Sequence, residues 1–259
     1  MNVPIVSVIM PVYNCAEYVG DAIESVLIQK VPLELIIIDD CSTDDTKKVF
    51  EKYKSCDNIR FLKNDSNRGV AETRNRGVRQ AKGKYIAYLD ADDCWREDKL
   101  EKQLNILENS DTVLCYTGRT LMKSNGEITD NIIHVIKRVD YRTLLRHNCI
   151  ACSSVMLLKR VAQEIPMCHD RYHEDYINWL RILKKYGTAC GIDEPLLLYR
   201  MNPRGKSQNK VKSARMTYGV YRTLGIGRVK SLCLVLSHLF HGVIKYLPIN
   251  IRVGQIHVD

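Results

Sequence analysis

Tyr85-Ile86-Ala87-Tyr88-Leu89-Asp90-Ala91-Asp92-Asp93 is an apolar run that stops on three carboxylates. The run has the length and composition of a buried strand. Asp90 and Asp92 stand two residues apart at its mouth and can grip a hard divalent cation such as Mn2+ or Mg2+. A cation of that kind keeps part of its water shell and takes other ligands from substrate phosphates. Acidic triplets also form solvated turns and helix N-caps, so the surrounding chain has to decide between these readings.

Upstream, three more apolar runs are each punctuated by turn residues. Ile5 to Met10 ends at Pro11, Leu33 to Ile38 ends at Asp39-Asp40, and Ile59 to Leu62 ends before Asn67-Arg68-Gly69. Helical spacing lies between them. Asn14 with Glu17 forms a capping-box-like start for Ala22, Ile23, Val26 and Leu27. Ser42 and Thr43 open a second helix to about Tyr53, and a third follows Gly69 to about Ala81. This β-α-β-α-β-α-β alternation predicts an α/β fold, a mostly parallel sheet flanked by helices. Ligands of such sheets bind at the carboxyl ends of the strands. Pro11–Asn14, Asp39–Asp40 and Asp90–Asp93 all fall at such ends.

Beyond residue 93 the pattern is less regular. Helices are predicted at Asp98–Asn109 and His173–Tyr186, and strands at Thr112–Tyr116, Ser153–Leu158 and Leu196–Tyr199. The 259 residues suffice for one large domain with an extension. The N-terminus has no basic, apolar leader, so a cytosolic catalytic face is expected. The ten cysteines are scattered and read as reduced, small apolar groups. Cys149-Ile150-Ala151-Cys152, followed by Cys168, His169 and His173, leaves a zinc site open, although no second CxxC closes it.

The net charge of +9 is unevenly placed. Residues 200–259 carry eleven Lys/Arg and one acid, whereas residues 1–199 carry 28 basic and 29 acidic residues. The boundary is therefore drawn as a catalytic domain over 1–210 and a basic, amphipathic helical extension over 211–259. Within it, Leu232, Leu234, Val235, Leu236, Leu239, Phe240, Val243 and Ile244 are apolar. Lys230, Ser237, His238, His241 and Lys245 fall near one helical face. No apolar run reaches the length of a membrane span, so an interfacial helix on an anionic leaflet is expected. The alternative is a helix packed on the catalytic domain or a homodimer partner. Tyr218, Tyr221, Phe240 and Tyr246 look like helix-face residues rather than a stacking platform, which argues against nucleic acid.

Five motifs occur in order: Val6-Ser7-Val8-Ile9-Met10-Pro11-Val12-Tyr13-Asn14; Ile38-Asp39-Asp40-Cys41-Ser42-Thr43-Asp44; Asn67-Arg68-Gly69-Val70-Ala71 with Arg74-Asn75; Leu89-Asp90-Ala91-Asp92-Asp93; and Glu174-Asp175-Tyr176-Ile177-Asn178-Trp179-Leu180-Arg181. With Leu198-Tyr199-Arg200, Ser207, Asn209 and Lys210, the series resembles the family 2 glycosyltransferases of the GT-A (Rossmann-like) fold over about residues 4–210. The resemblance is strongest to bacterial enzymes of surface polysaccharides, the teichuronic-acid, capsule and O-antigen sugar transferases.

That resemblance implies a UDP-sugar donor cradled by Pro11, Val12, Tyr13, Asn14, Glu17, Asp40, Arg68, Arg74, Asp90 and Arg200. Tyr13 would stack on uracil; the alternative is a core aromatic. Asp40 would accept the uracil N3–H, or else serve as a helix-start acid. Arg74 would reach donor phosphate or ribose, with a surface ion pair as its rival. The family order makes Asp92 the direct metal ligand and Asp90 a ribose or metal-water ligand. Asp175 matches the general base that inverting members use on the acceptor hydroxyl, and Glu174 would orient the site. Both are also explained as acids at a helix start. The implied acceptor is a lipid-linked saccharide at the cytoplasmic face of the inner membrane.

Two departures stand out. Many relatives carry His two residues after Tyr-Arg, where this chain has Asn202; Arg200, Arg204 and Lys206 could serve the pyrophosphate instead. The Gln-x-x-Arg-Trp motif of processive synthases is absent, so one sugar per encounter is expected. A nucleotidyltransferase would show a Gly-rich loop where Pro11–Asn14 stands. A catalytically silent nucleotide-sugar sensor or assembly subunit is the remaining alternative. Donor choice is expected to lie in residues 92–96 and 150–175.

Overall fold

A computed structural model describes residues 3–168, 171–201 and 210–244. Asn202, Arg204, Lys206, Ser207, Asn209, His169, Lys245 and Tyr246 lie outside the described residues.

The first half follows the alternation: β1 (Val6–Val12), α1 (Val19–Leu27), β2 (Leu33–Asp39), α2 (Thr46–Glu51), β3 (Ile59–Lys63), α3 (Val70–Gln80) and β4 (Tyr85–Tyr88). The second half adds β5 (Cys94–Trp95), α4 (Lys99–Glu108), β6 (Leu114–Met122), β7 (Ile128–Ile133), β8 (Arg138–Asp140) and α5 (Tyr141–Arg146). A single tight turn at Cys152–Ser154 leads into β9 (Met156–Leu158), α6 (Lys159–Glu164), α7 (Glu174–Tyr186) and β10 (Thr188–Arg200). Helices α8 (Lys210–Thr223) and α9 (Arg228–Ile244) complete the described chain.

One sheet runs β3-β2-β1-β4-β9-β6-β10-β5, with β7 on β6 and β8 on β10. The pairs β1–β2, β1–β4, β2–β3 and β6–β10 are parallel, while β9 is antiparallel to both β4 and β6. Strands β1, β2 and β4 are buried on both faces, which explains their unbroken apolar runs. The chain leaves β1 for β2 and β3 on one side and returns to β4 on the other. This is the switch point at which open α/β sheets form a crevice. Gly77 lets α3 lie close on the sheet, because a Cβ there would meet Ile9 Cγ2 at 2.5 Å.

Several expectations need correction. Asn14 does not cap a helix: its φ is +48°, and α1 starts only at Val19. Ser42 and Thr43 do not open α2. They hold Asn14 instead, with Asn14 N–H donating to Ser42 Oγ at 3.0 Å and Thr43 N–H to Asn14 Oδ1 at 2.8 Å. α2 starts at Thr46 and ends at Glu51 rather than near Tyr53. Of Ser153–Leu158 only Met156–Leu158 is strand. β6 and β10 are longer than expected, β10 carrying an irregularity between Ile192 and Leu197 around Pro195. None of the ten cysteines forms a disulfide, and Cys149 and Cys152 are buried. Among the described residues no three His, Cys, Asp or Glu side chains gather to hold a metal by themselves.

Helix α8 joins the core through Val220 and Tyr221, and the Tyr221 hydroxyl donates to the Leu145 carbonyl at 2.8 Å. α9 rests on the same body through Ser231, Leu234 and Val235. No described helix is long and apolar enough to cross a membrane.

Candidate active site

Two adjoining regions form at the carboxyl ends of the strands. The first is a cleft of about 320 Å³ lined by Pro11, Val12, Tyr13, Asp40, Gly69 and Thr73, among others. Tyr13 is 51% exposed and so is not a core aromatic. Asp40 is buried and organises the turn before α3. Its Oδ1 accepts from Asn64 Nδ2 at 2.6 Å and from the Arg68 N–H at 2.8 Å, and its Oδ2 accepts from the Gly69 N–H at 2.9 Å. One lone pair on Oδ2 stays uncommitted, since a carboxylate offers about four acceptor sites. Gly69 has φ +81° and ψ 162°, a backbone region essentially reserved for glycine. Arg68 contributes its backbone here, while its side chain lines a separate surface cleft with Asn64, Asp65 and Glu72. Glu17 is exposed on the turn before α1.

The second region, about 280 Å³, gathers Arg74, Asp90, Glu174 and Asp175. Arg74 is only 3% exposed, which rules out a surface pair. Its Nη2 donates to Asp90 Oδ1 at 2.5 Å and its Nη1 to Glu174 Oε1 at 2.8 Å. One guanidinium thus joins the end of β4 to the start of α7. The Asp90 N–H donates to Ser153 Oγ at 3.1 Å, and the Trp95 indole N–H to the Ser153 carbonyl at 2.7 Å. The tight turn at Cys152–Ser154 therefore holds the acidic loop in place.

Asp175 sits in the first turn of α7, where its Oδ1 accepts the Tyr176 N–H at 2.7 Å. Burial in the cleft pushes its carboxyl up to about 7, the neighbouring Glu174 charge adds to the rise, and Arg74 opposes it. A base is most effective when its pKa lies near the working pH. Asp93 is buried and accepts the Arg200 N–H at 3.0 Å. Burial, with Asp92 and Asp90 beside it, holds its carboxyl well above the usual range.

Arg200 is fully engaged. Its Nε donates to the Asp92 carbonyl at 2.8 Å, its Nη1 to the Ser124 carbonyl at 3.1 Å and its Nη2 to Asp21 Oδ2 at 2.8 Å. It lies over the Tyr18 ring at 4.7 Å. Arg200 thus clamps the Asp92 backbone and lines neither region.

Asp90 and Asp92 suit a hard cation by their oxygen donors, and Arg74 engages only Oδ1 of Asp90. Among the described residues no cluster of three His, Cys, Asp or Glu side chains is arranged to hold a metal by itself.

Sequence reasoning missed several contributors. Asn64 links Asp40 to Thr73, at 2.6 and 3.0 Å. Ser153 supports Asp90, while Arg119, Asn148 and His238 line the second region. Only Asn64 carried a signal, as a polar residue directly after the third strand.

Residues 7–164 match the model of glycosyl transferase family 2, and the chain belongs to that family. It is a glycosyltransferase. The chain is 40% identical over 223 residues to the protein of Bacillus subtilis named as teichuronic acid biosynthesis glycosyltransferase TuaG, covering 85% of this chain and 88% of that one. It is 31% identical over 244 residues to WfaP of Escherichia coli, covering 93% and 95%. WfaP is named as a UDP-Glc:alpha-D-GlcNAc-diphosphoundecaprenol beta-1,3-glucosyltransferase. The fold matches S. aureus TarS 1-349 in complex with UDP-GlcNAc, with a TM-score of 0.69 at 16% identity over 90% of this chain and 71% of that one. It equally matches the mannosyltransferase PcManGT of Pyrobaculum calidifontis, in complex with GDP-Man and Mn2+, with a TM-score of 0.69 at 16% identity over 91% and 70%. The architecture is the GT-A fold.

Proposed function

We propose that the chain transfers one sugar, with inversion, from a UDP-sugar to a saccharide on a lipid diphosphate, in the synthesis of a bacterial surface polysaccharide. The observation that carries this reading is Asp175 at the start of α7, in the same cleft as Asp90, with Arg74 bridging Asp90 to the adjacent Glu174. The names of TuaG and WfaP support the substrate class.

Uracil stacks on Tyr13, and its N3–H reaches the uncommitted lone pair of Asp40. Arg74 fixes Asp90 against the donor and keeps Glu174 turned into the cleft. Mn2+ or Mg2+, held by Asp92 and Asp90 when bound, supplies the positive charge that the departing diphosphate needs. Asp175 takes the proton of the acceptor hydroxyl as that oxygen forms its bond to the anomeric carbon. The bond from that carbon to the phosphate oxygen breaks, and UDP leaves with its electron pair. A single displacement turns an α-linked donor into a β-linked product.

The membrane side is read from α9. Its inner face rests on the catalytic body, so Val229, Leu232, Leu236, Leu239 and Phe240 are left exposed, with Leu236 at 67% and Phe240 at 62%. A row of large apolar side chains at helical spacing, with Arg228 and Lys230 beside it, suits the headgroup boundary of an anionic leaflet. This would place the enzyme peripherally on the cytoplasmic face.

The test offers UDP-glucose, UDP-galactose and their N-acetyl and uronic forms, with Mn2+ and a GlcNAc-diphospho-polyprenol acceptor. A β-linked product, read from the coupling of the new anomeric proton, is expected. An α-linked product would overturn inversion. UDP binding without transfer from any donor would make the chain a silent nucleotide-sugar sensor.

A further inference from the structure

Arg119 is the second guanidinium of the cleft, and among the described residues no acceptor is found for its Nε. It stands on β6, paired with Ile133 of β7 and with Leu197 of β10, at the irregularity in that strand. It is 9% exposed. Its Nε is buried without a hydrogen-bond partner, and its guanidinium lies over the Tyr199 ring, 5.3 Å from the ring centre. Arg74 supplies the contrast within the same cleft, with both terminal nitrogens held by carboxylates.

Removing a guanidinium from water without a counter-charge is strongly unfavourable. The stacking on Tyr199 offsets part of that cost and fixes the plane of the fork. The fork lines the cleft together with Asp175, Asn148 and Ser213. Asn148 Oδ1 is taken by the Ile150 N–H at 3.2 Å, which leaves Nδ2 to donate. A buried, ring-stacked guanidinium with an unpartnered Nε and a neutral donor in the same cleft suits an oxyanion received in bidentate fashion.

We infer that Arg119 binds an oxyanion carried by the saccharide that reacts at Asp175. Sugar hydroxyls are neutral and would leave the guanidinium uncompensated. The donor diphosphate is already assigned to the Asp90–Asp92 side. Two sources carry the required chemistry: the carboxylate of a hexuronic acid and the diphosphate that joins an acceptor sugar to its lipid. The inference rests on the glycosyl-transfer reading for what enters the cleft.

The test is equilibrium binding to the full chain, as wild type, Arg119→Met and Arg119→Lys. The probes are UDP, UDP-glucose, UDP-glucuronic acid and a short-chain prenyl diphosphate bearing GlcNAc. Arg119→Met is expected to bind UDP and UDP-glucose as wild type does, which also reports that it is folded. It should lose about tenfold or more, equivalent to about 1.4 kcal/mol, for the probe that carries the oxyanion. Loss confined to UDP-glucuronic acid assigns the carboxylate; loss confined to the prenyl diphosphate assigns the acceptor. Arg119→Lys keeps the charge without the fork and should fall between. Equal binding of every probe by Arg119→Met overturns the inference. Failure of the wild type to bind UDP overturns the donor reading alone, because the prenyl diphosphate arm still reads Arg119.

Discussion

Arg74 Nη1 and Glu174 Oε1 stand 2.8 Å apart across a sequence separation of 100 residues. The same guanidinium holds Asp90, so the donor side and the base side of the cleft share one buried cation. Removing it leaves two carboxylates without their partner. Arg74→Met should cost about 3 kcal/mol in urea unfolding, as for a broken buried pair. Arg74 also restrains the Asp175 carboxyl. The variant's activity should therefore begin only at a higher pH than in wild type, which a pH–rate profile reads directly.

Asp40→Asn tests the nucleotide cleft. An amide offers one oxygen where the carboxylate offers two, yet Asn64, Arg68 and Gly69 all donate to this side chain. The part-buried Gly69 N–H is then left facing an NH2 group, at about 1 kcal/mol. UDP affinity measured by calorimetry should fall by about tenfold or more. Unchanged affinity would remove Asp40 from uracil recognition.

Lys99 gives a stability prediction. It is fully buried, with its Nζ 2.6 Å from Gln103 Oε1 and 4.0 Å from the centre of the Trp95 ring. Burial lowers its pKa from 10.5 to about 7. The folded chain therefore holds this proton less tightly than the unfolded chain. The penalty is full below about pH 7 and is relieved as pH rises from about 7 to 10.5. Lys99→Met should raise the melting temperature, and by more at pH 6 than at pH 9. A gain independent of pH would contradict the assignment.

The exposed row on α9 predicts a separable membrane contact. Leu236→Glu with Phe240→Glu should abolish flotation with anionic vesicles and leave UDP affinity intact. Flotation of the double variant at wild-type levels would show that this face does not dock. Point changes are preferable to deleting α9, because His238 lines the catalytic cleft.

The first four strands and three helices were legible because parallel core strands are unbroken apolar runs, and because turn residues separate them. The clusters at their ends were legible for the same reason, and Tyr13, Asp40, Arg74, Asp90, Glu174 and Asp175 do converge on the two adjoining regions. The weaker elements were not. β5 is two residues long, and β7 is largely exposed with no alternation to betray it. Pro195 hid the first part of β10. Arg200 has the composition of a phosphate ligand, but its partners Asp21 and Ser124 are remote in sequence. On α9, Ser237 and His238 look like a solvent face, whereas the packing turns them toward the body and leaves Leu232, Leu236 and Phe240 outside. Arg119 is conspicuous only through an Nε that finds no partner among the described residues, and no sequence pattern records that.

The most direct measurement is UDP release from the preferred donor across pH 5–9, with acceptor and Mn2+, in wild type, Asp92→Ala and Asp175→Asn. Asp175 must be ionised to accept a proton, so wild-type kcat/KM should rise with pH through about 7 and then level. Asp175→Asn should retain UDP binding, lose about two to four orders of magnitude in rate and show no such rise. Asp92→Ala should lose its response to Mn2+. Wild-type turnover by Asp175→Asn, with the pH rise intact, would contradict the account.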